Sequence, residues 1–221
     1  MAEEHFSPRF EALPQALPIF PLTGVLLLPR GRLPLNIFEP RYLALVSDAL
    51  APPRFIGMIQ PQEGRGDAGE PPTYPVGCAG RITSFSETDD GRYLITLAGV
   101  ARFTVTSELP LVKGYRSVRV DWARFRGDLA PASPGGVDRK RVLAALKPYF
   151  QHRKIDADWN AVNEMADESL ITMLAMGCPF ASSEKQALLE ADGLEARARL
   201  LTALFEMAGA PTAPEQTTLR H

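Results

Sequence analysis

Histidine is the side chain best suited to moving protons near neutral pH, and this sequence has three, at positions 5, 152 and 221. His152 sits beside Arg153 and Lys154, a charged stretch that reads as solvated surface. Scattered in this way, the histidines supply neither a metal centre nor a Ser-His-Asp triad. The lysines, at 113, 140, 147, 154 and 185, fall in polar or amphipathic surroundings. Each reads as a solvated ammonium, not as the desolvated base that a Ser-Lys pair needs. Cys78 and Cys178 lie in apolar stretches without CxxC spacing and read as buried, reduced thiols. Spacing alone leaves a single disulfide between them open. Asp89-Asp90 belongs to a turn, and Asp156 and Asp158 to a helix start. No GxxxxGK[ST], GxGxxG or GxSxG motif occurs. This inventory predicts no enzyme, no metal and no cofactor.

The chemistry on offer is noncovalent. Phe38, Tyr42, Met58 and Phe85 are apolar residues close to predicted loops, with Arg41 and Arg81 near them. Such a set suits varied polypeptide segments: methionine adapts its shape, and a guanidinium anchors carboxylates or carbonyls. We expect a polypeptide-binding groove where segment 36–42 meets the strand 56–60. The competing reading of the same residues puts Phe38 and Met58 in the core and Tyr42 beneath a short helix, with Glu39 and Arg41 as a cap and its partner. Arg197 and Arg199 read as a solvated face, and Met173–Met176 as core. The chain has 24 basic and 26 acidic residues, a formal charge of −2, which argues against a dedicated nucleic-acid binder.

The elements that carry these residues divide in two. Of the 20 prolines, sixteen precede residue 137. Proline is excluded from helix interiors and from sheet ladders, so the first part is predicted to be short strands and turns and the second helical. Leu17–Leu22, Val25–Leu28 and Leu33–Phe38 read as strands. Glu39-Pro40 starts a helix that Pro52 and Pro53 end. Arg54–Gln60 and Val76–Ser86 are again strands, around an exposed loop at 61–75. Asp89-Asp90-Gly91 predicts a hairpin turn, and Ala98-Gly99 a second turn inside a period-two meander that runs from Tyr93 to Thr106. Val118–Trp122 adds a last strand. Beyond residue 137 the apolar spacing becomes helical, with Pro148 expected to kink or restart the first helix, Asp156 to cap a second, and Ser183–Gln186 to form a capping box. The run Leu17–Leu28 is broken by Pro18 and Pro21 and too short to span a bilayer. Residues 1–10 lack the apolar segment of an export signal, so a cytoplasmic, non-membrane protein is expected.

Two segments then carry a resemblance. Leu17-Pro18-Ile19-Phe20-Pro21-Leu22 with Leu33-Pro34-Leu35-Asn36-Ile37-Phe38-Glu39-Pro40-Arg41-Tyr42 resembles the opening of the Lon protease N-terminal domain, and Val76-Gly77-Cys78-Ala79-Gly80-Arg81-Ile82 resembles its next signature. Gly91-Arg92-Tyr93, Gly99, Arg102-Phe103 and Pro179-Phe180 before Ser182–Gln186 continue the likeness over residues 14–208. The resemblance implies an α+β fold: a PUA-like antiparallel β-barrel followed by a C-terminal α-helical bundle. The expected organisation is a tail at 1–13, the barrel at 14–125, a linker at 126–136, the bundle at 137–208 and a tail at 209–221. It further implies a noncatalytic member of the stand-alone type, binding unfolded or degron-bearing polypeptides without ATPase or protease activity, and leaves open whether it works with a proteolysis machine, competes with one or acts alone. RNA binding by the PUA-like barrel is the alternative, which the net charge opposes. Neither reading sets an oligomeric state.

Overall fold

The computed structural model describes residues 8–62, 71–130 and 136–209. Residues 1–7 and 210–221 of the expected tails, 63–70 of the expected loop and 131–135 of the expected linker lie outside the described residues.

Six strands come first: β1 (Ala16–Pro21), β2 (Arg32–Ile37), β3 (Phe55–Ile59), β4 (Val76–Glu87), β5 (Tyr93–Val112) and β6 (Tyr115–Asp121), with α1 (Pro40–Ala49) between β2 and β3. β1 runs parallel to β3 and antiparallel to β6, β4 pairs with β3 and β5, and β5 returns to β6. The ring β1-β3-β4-β5-β6 is therefore closed, which removes its edges. Leu17, Ile19, Phe55, Ile59, Ala79, Ala101, Phe103 and Val118 form one apolar cluster that fills it. Phe103 sits at its centre: a Cβ on Gly77 would stand 2.5 Å, and one on Gly57 2.9 Å, from Phe103 Cζ. The alternate residues of the same strands, among them Phe20, Ile56, Met58 and Cys78, join α1 and the helices in a second, larger core.

The helices follow: α2 (Arg139–Arg153), α3 (Trp159–Glu164), α4 (Asp167–Gly177), α5 (Ser182–Glu190) and α6 (Gly193–Gly209). A buried polar seam fastens them to the barrel. The Arg102 guanidinium donates to Asp128 through Nε (2.8 Å) and Nη2 (2.7 Å), and through Nη1 to the carbonyls of Leu189 and Ala191. Gln60 donates to the Ser182 carbonyl and the Gln186 side chain, and Gln186 to the Val76 carbonyl. Arg197 is buried and donates to the Leu188 carbonyl. Burial, reinforced by the Arg102 charge, brings its guanidinium pKa down to about 10.

Several sequence expectations need correction. Val25–Leu28 is buried but forms no strand, and Ala98-Gly99 is no turn: β5 runs straight through it for 20 residues. Gly99 serves close approach instead. A Cβ there would collide with the Leu28 carbonyl, and the Gly99 amide and carbonyl bond to the Gly31 carbonyl and Arg30 amide. Pro148 does not restart α2, because both Pro148 and Ala144, whose carbonyl loses its donor, face solvent while Leu146 and Tyr149 anchor the turn. Asp158, not Asp156, caps α3, accepting from the amides of Asn160 and Ala161. At α5 the Glu184 carboxylate accepts from the Ala181 amide at 2.8 Å, so the helix starts at Ser182. Lys185 and Arg197 are buried rather than solvated, and Met173 is 43% exposed rather than core. At Gly99 and Lys185 a partner distant in sequence decides, whereas the caps of α3 and α5 are settled by neighbours within three residues.

Candidate functional site: a three-stranded arm

β3 ends its pairing with β4 at Phe55 opposite Arg81, whereas β4 continues to Glu87. From residue 82 onward β4 is paired only with β5, and residues 93–98 of β5 carry β2 on their other side. These three strands project as an arm beyond the closed barrel. Among the described residues, β2 and the 83–87 stretch of β4 have no second strand partner, so the arm has two open edges. An open edge presents backbone donors and acceptors to an extended chain.

Register fixes the two faces of the arm. Leu35, Ile37, Ile95 and Tyr93 turn toward the larger core. Phe85, paired with Ile95, lies at the border of this face, edge-on to Tyr93 at 5.0 Å and 40% exposed. The opposite face carries Pro34 and Asn36 on β2, Leu94 and Thr96 on β5, and Ser84 and Ser86 on β4. None of these residues is charged. By strand alternation Phe38 falls on this side beyond Asn36, diagonal to Leu94. Phe38 is 62% exposed and Leu94 44%. Arg32 and Arg81, both opposite Ala98, mark the end of this face where it enters the barrel.

Beside the arm, Glu39 begins α1, and its carboxylate accepts from Arg41 Nε at 3.1 Å. The Arg41 guanidinium lies over the Tyr42 ring, which packs against Phe20 with centroids 4.1 Å apart. Burial raises the Tyr42 phenol pKa, against the lowering effect of the Arg41 charge. The tip of the β5–β6 hairpin is tied to the same helix: the Lys113 ammonium donates to Asp48 at 2.6 Å and the Tyr115 hydroxyl at 2.9 Å. The bonds from Lys113 and Tyr115 lower the Asp48 pKa. Leu111 and Val112 at this tip are exposed.

The six residues singled out in the sequence thus separate. Phe38 and Phe85 are on the arm, but on opposite faces, and Phe38 is not core. Arg81 is half-buried at the barrel end and Arg41 half-buried on α1. Met58 and Tyr42 are buried in the larger core and line no groove between these segments. The expected groove between 36–42 and 56–60 is absent, because every residue of β3 is buried between β1, β4 and the surrounding cores. Leu94 escaped the sequence reading; its signal was an apolar residue in the polar phase of the 93–97 alternation. No group of three or more His, Cys, Asp or Glu side chains among the described residues could hold a metal ion, and no described helix is long and apolar enough to cross a membrane.

Comparison with known proteins gives a consistent result. Residues 16–206 match the ATP-dependent protease La (LON) substrate-binding domain. The chain is 27% identical over 198 residues to Lon protease 2 of Myxococcus xanthus, covering 88% of this chain and 24% of that protein. The chain therefore spans about a quarter of the length of this relative. Its fold superposes with TM-score 0.60 and 25% identity on the Lon N-terminal domain protein from Xanthomonas campestris, covering 85% of this chain and 97% of that one. It also superposes with TM-score 0.57 and 16% identity on the N-terminal domain of Mycobacterium avium complex Lon protease, covering 86% of this chain and 97% of that one.

Proposed function

Because the chain belongs to the Lon substrate-binding domain family, we propose that it is a noncatalytic module that holds unfolded or degron-bearing polypeptide segments in extended form on the β2–β5–β4 arm. The observation that carries this reading is the arm itself: an uncharged face with Phe38 and Leu94 exposed, bordered by two unpaired edges. An unfolded segment brings apolar side chains and unsatisfied amides, and this surface meets both needs. Phe38 and Leu94 supply apolar contact, Phe85 extends it around the β4 border, and Arg81 and Arg41 anchor carbonyls or carboxylates at its ends. Met58 and Tyr42 support the sheet and helix from beneath. In the cytoplasm such a module passes bound segments to a proteolysis machine.

Fluorescence titration tests the reading with a reduced, carboxymethylated protein against its native folded form. The unfolded form binds without ATP and with weak salt dependence, the folded form does not, and Phe38→Asp with Leu94→Asp weakens binding tenfold or more. Equal binding of folded and unfolded forms, or undiminished affinity in the double variant, contradicts it. Tight, salt-sensitive retention of RNA with no polypeptide binding assigns the arm to the other partner class.

A further inference from the structure

A cleft of about 720 Å³ lies between the segment 24–33 and α4, at the barrel end of β2, and its size is that of a ligand site. Met173, Met176, Val25, Leu26 and Leu33 make its wall apolar, and Lys185 belongs to the same wall. Lys185 is only 6% exposed. Its ammonium donates to the carbonyls of Gly24 at 2.8 Å and Met176 at 3.3 Å, and among the described residues no carboxylate pairs with it. A buried charge held by carbonyls alone lacks its counter-ion, and burial accordingly lowers the Lys185 pKa. Glu168, the acid in the lining, is already paired with Arg30 at 2.6 Å, which leaves Lys185 and the exposed Arg32 without a paired carboxylate among the described residues. A second observation concerns the backbone. Val25 and Leu26 line the cleft outside any strand, and among the described residues their amides and carbonyls show no hydrogen bond.

We infer that this cleft receives the free C-terminal end of a polypeptide with apolar last residues. The terminal carboxylate meets the Lys185 ammonium, the preceding backbone pairs along Val25–Leu26, and the apolar side chains lie against Met173 and Met176. The unpaired backbone favours a peptide over a fatty acid, which has a carboxylate and an apolar tail but no amides to offer. The inference rests on the reading of the chain as a polypeptide-binding module, and adds to it a preference for one end of the bound chain.

The test is fluorescence anisotropy on the full chain with an amino-terminally labelled decapeptide ending Val-Leu-Leu, as the free acid and as the C-terminal amide, with decanoate as competitor. The acid binds at least tenfold tighter than the amide, and Lys185→Met abolishes the difference. Met173→Glu places a like charge at a half-exposed wall position that tolerates it, and weakens the acid at least tenfold; it serves if Lys185→Met does not fold. Equal binding of acid and amide removes the carboxylate site and leaves the polypeptide reading standing. Binding of neither peptide removes both. Decanoate binding at the cleft without peptide binding assigns it to a lipid and overturns the inference, as does an acid preference that survives Met173→Glu.

Discussion

The Arg102–Asp128 pair makes the sharpest quantitative prediction. Asp128 accepts three bonds from Arg102, from its amide, Nε and Nη2, at 2.9, 2.8 and 2.7 Å. The two side chains are 6% and 9% exposed. Asp128→Ala strands a guanidinium whose remaining acceptors among the described residues are the carbonyls of Leu189 and Ala191. Removing one partner of a buried pair costs about 3–5 kcal/mol. For a chain of this size each kcal/mol moves Tm by roughly 2–4 °C, so the expected fall is about 6–20 °C. Arg102→Met with Asp128→Leu removes both charges together and is less destabilised than Asp128→Ala alone, with a coupling of about 1–3 kcal/mol in a double-mutant cycle. Urea unfolding followed by fluorescence of Trp122 and Trp159 and by circular dichroism measures the wild type, Asp128→Ala, the single variants Arg102→Met and Asp128→Leu and their double variant, one tryptophan reporting on the barrel and the other on the helices. A cost below about 1 kcal/mol for Asp128→Ala, or strictly additive effects, refutes the argument that this pair locks the two halves together.

Other outcomes follow from the same structure. Gly77→Ala sets a Cβ 2.5 Å from Phe103 Cζ and 2.7 Å from the Met58 carbonyl; overpacking of this kind costs about 1–3 kcal/mol in denaturant titration, and a neutral result contradicts the packing of the barrel interior. Cys78 and Cys178 are buried, and burial raises both thiol pKa values, that of Cys178 to about 11. A thiol-specific reagent at pH 8 therefore labels neither in the native protein and both in urea; rapid native labelling is the contrary result. Tyr115 is raised to about 12, first by burial and then by its bond to Asp48. Its unfolded form loses the proton near 10, so its contribution to stability is complete below that pH and is lost between about 10 and 12. Tyr115→Phe makes this alkaline decline shallower, and an unchanged slope rejects the assignment. Phe38→Ser, at a 62% exposed position, changes stability by no more than about 0.5 kcal/mol while weakening polypeptide binding.

What could be read from the sequence was local. The alternation around Phe103, the Glu39-Pro40 helix start and the proline distribution each depend on near neighbours, and the structure has the strands, α1 and the helical half where these signals put them. What escaped depended on distant partners. Nothing around Gly99 distinguishes a turn from a strand glycine over which residues 28–31 cross. Lys185 and Arg197 look solvated until acceptors 161 and 9 residues away are brought to them. The candidate site shows the same division. Phe38, Arg41, Arg81 and Phe85 lie at or near the surface. The groove assigned to them required knowing that β3 is enclosed by β1 and β4, a pairing that strand patterns do not reveal.

Hydrogen exchange tests the central claim most directly, with and without the reduced, carboxymethylated protein. Occupation of the arm slows exchange of amides in residues 32–38 and 83–87, the open edges, and leaves the closed barrel strands around Phe103 unchanged. Protection confined to the outer helical surface, or no change along either edge at saturating polypeptide, contradicts it.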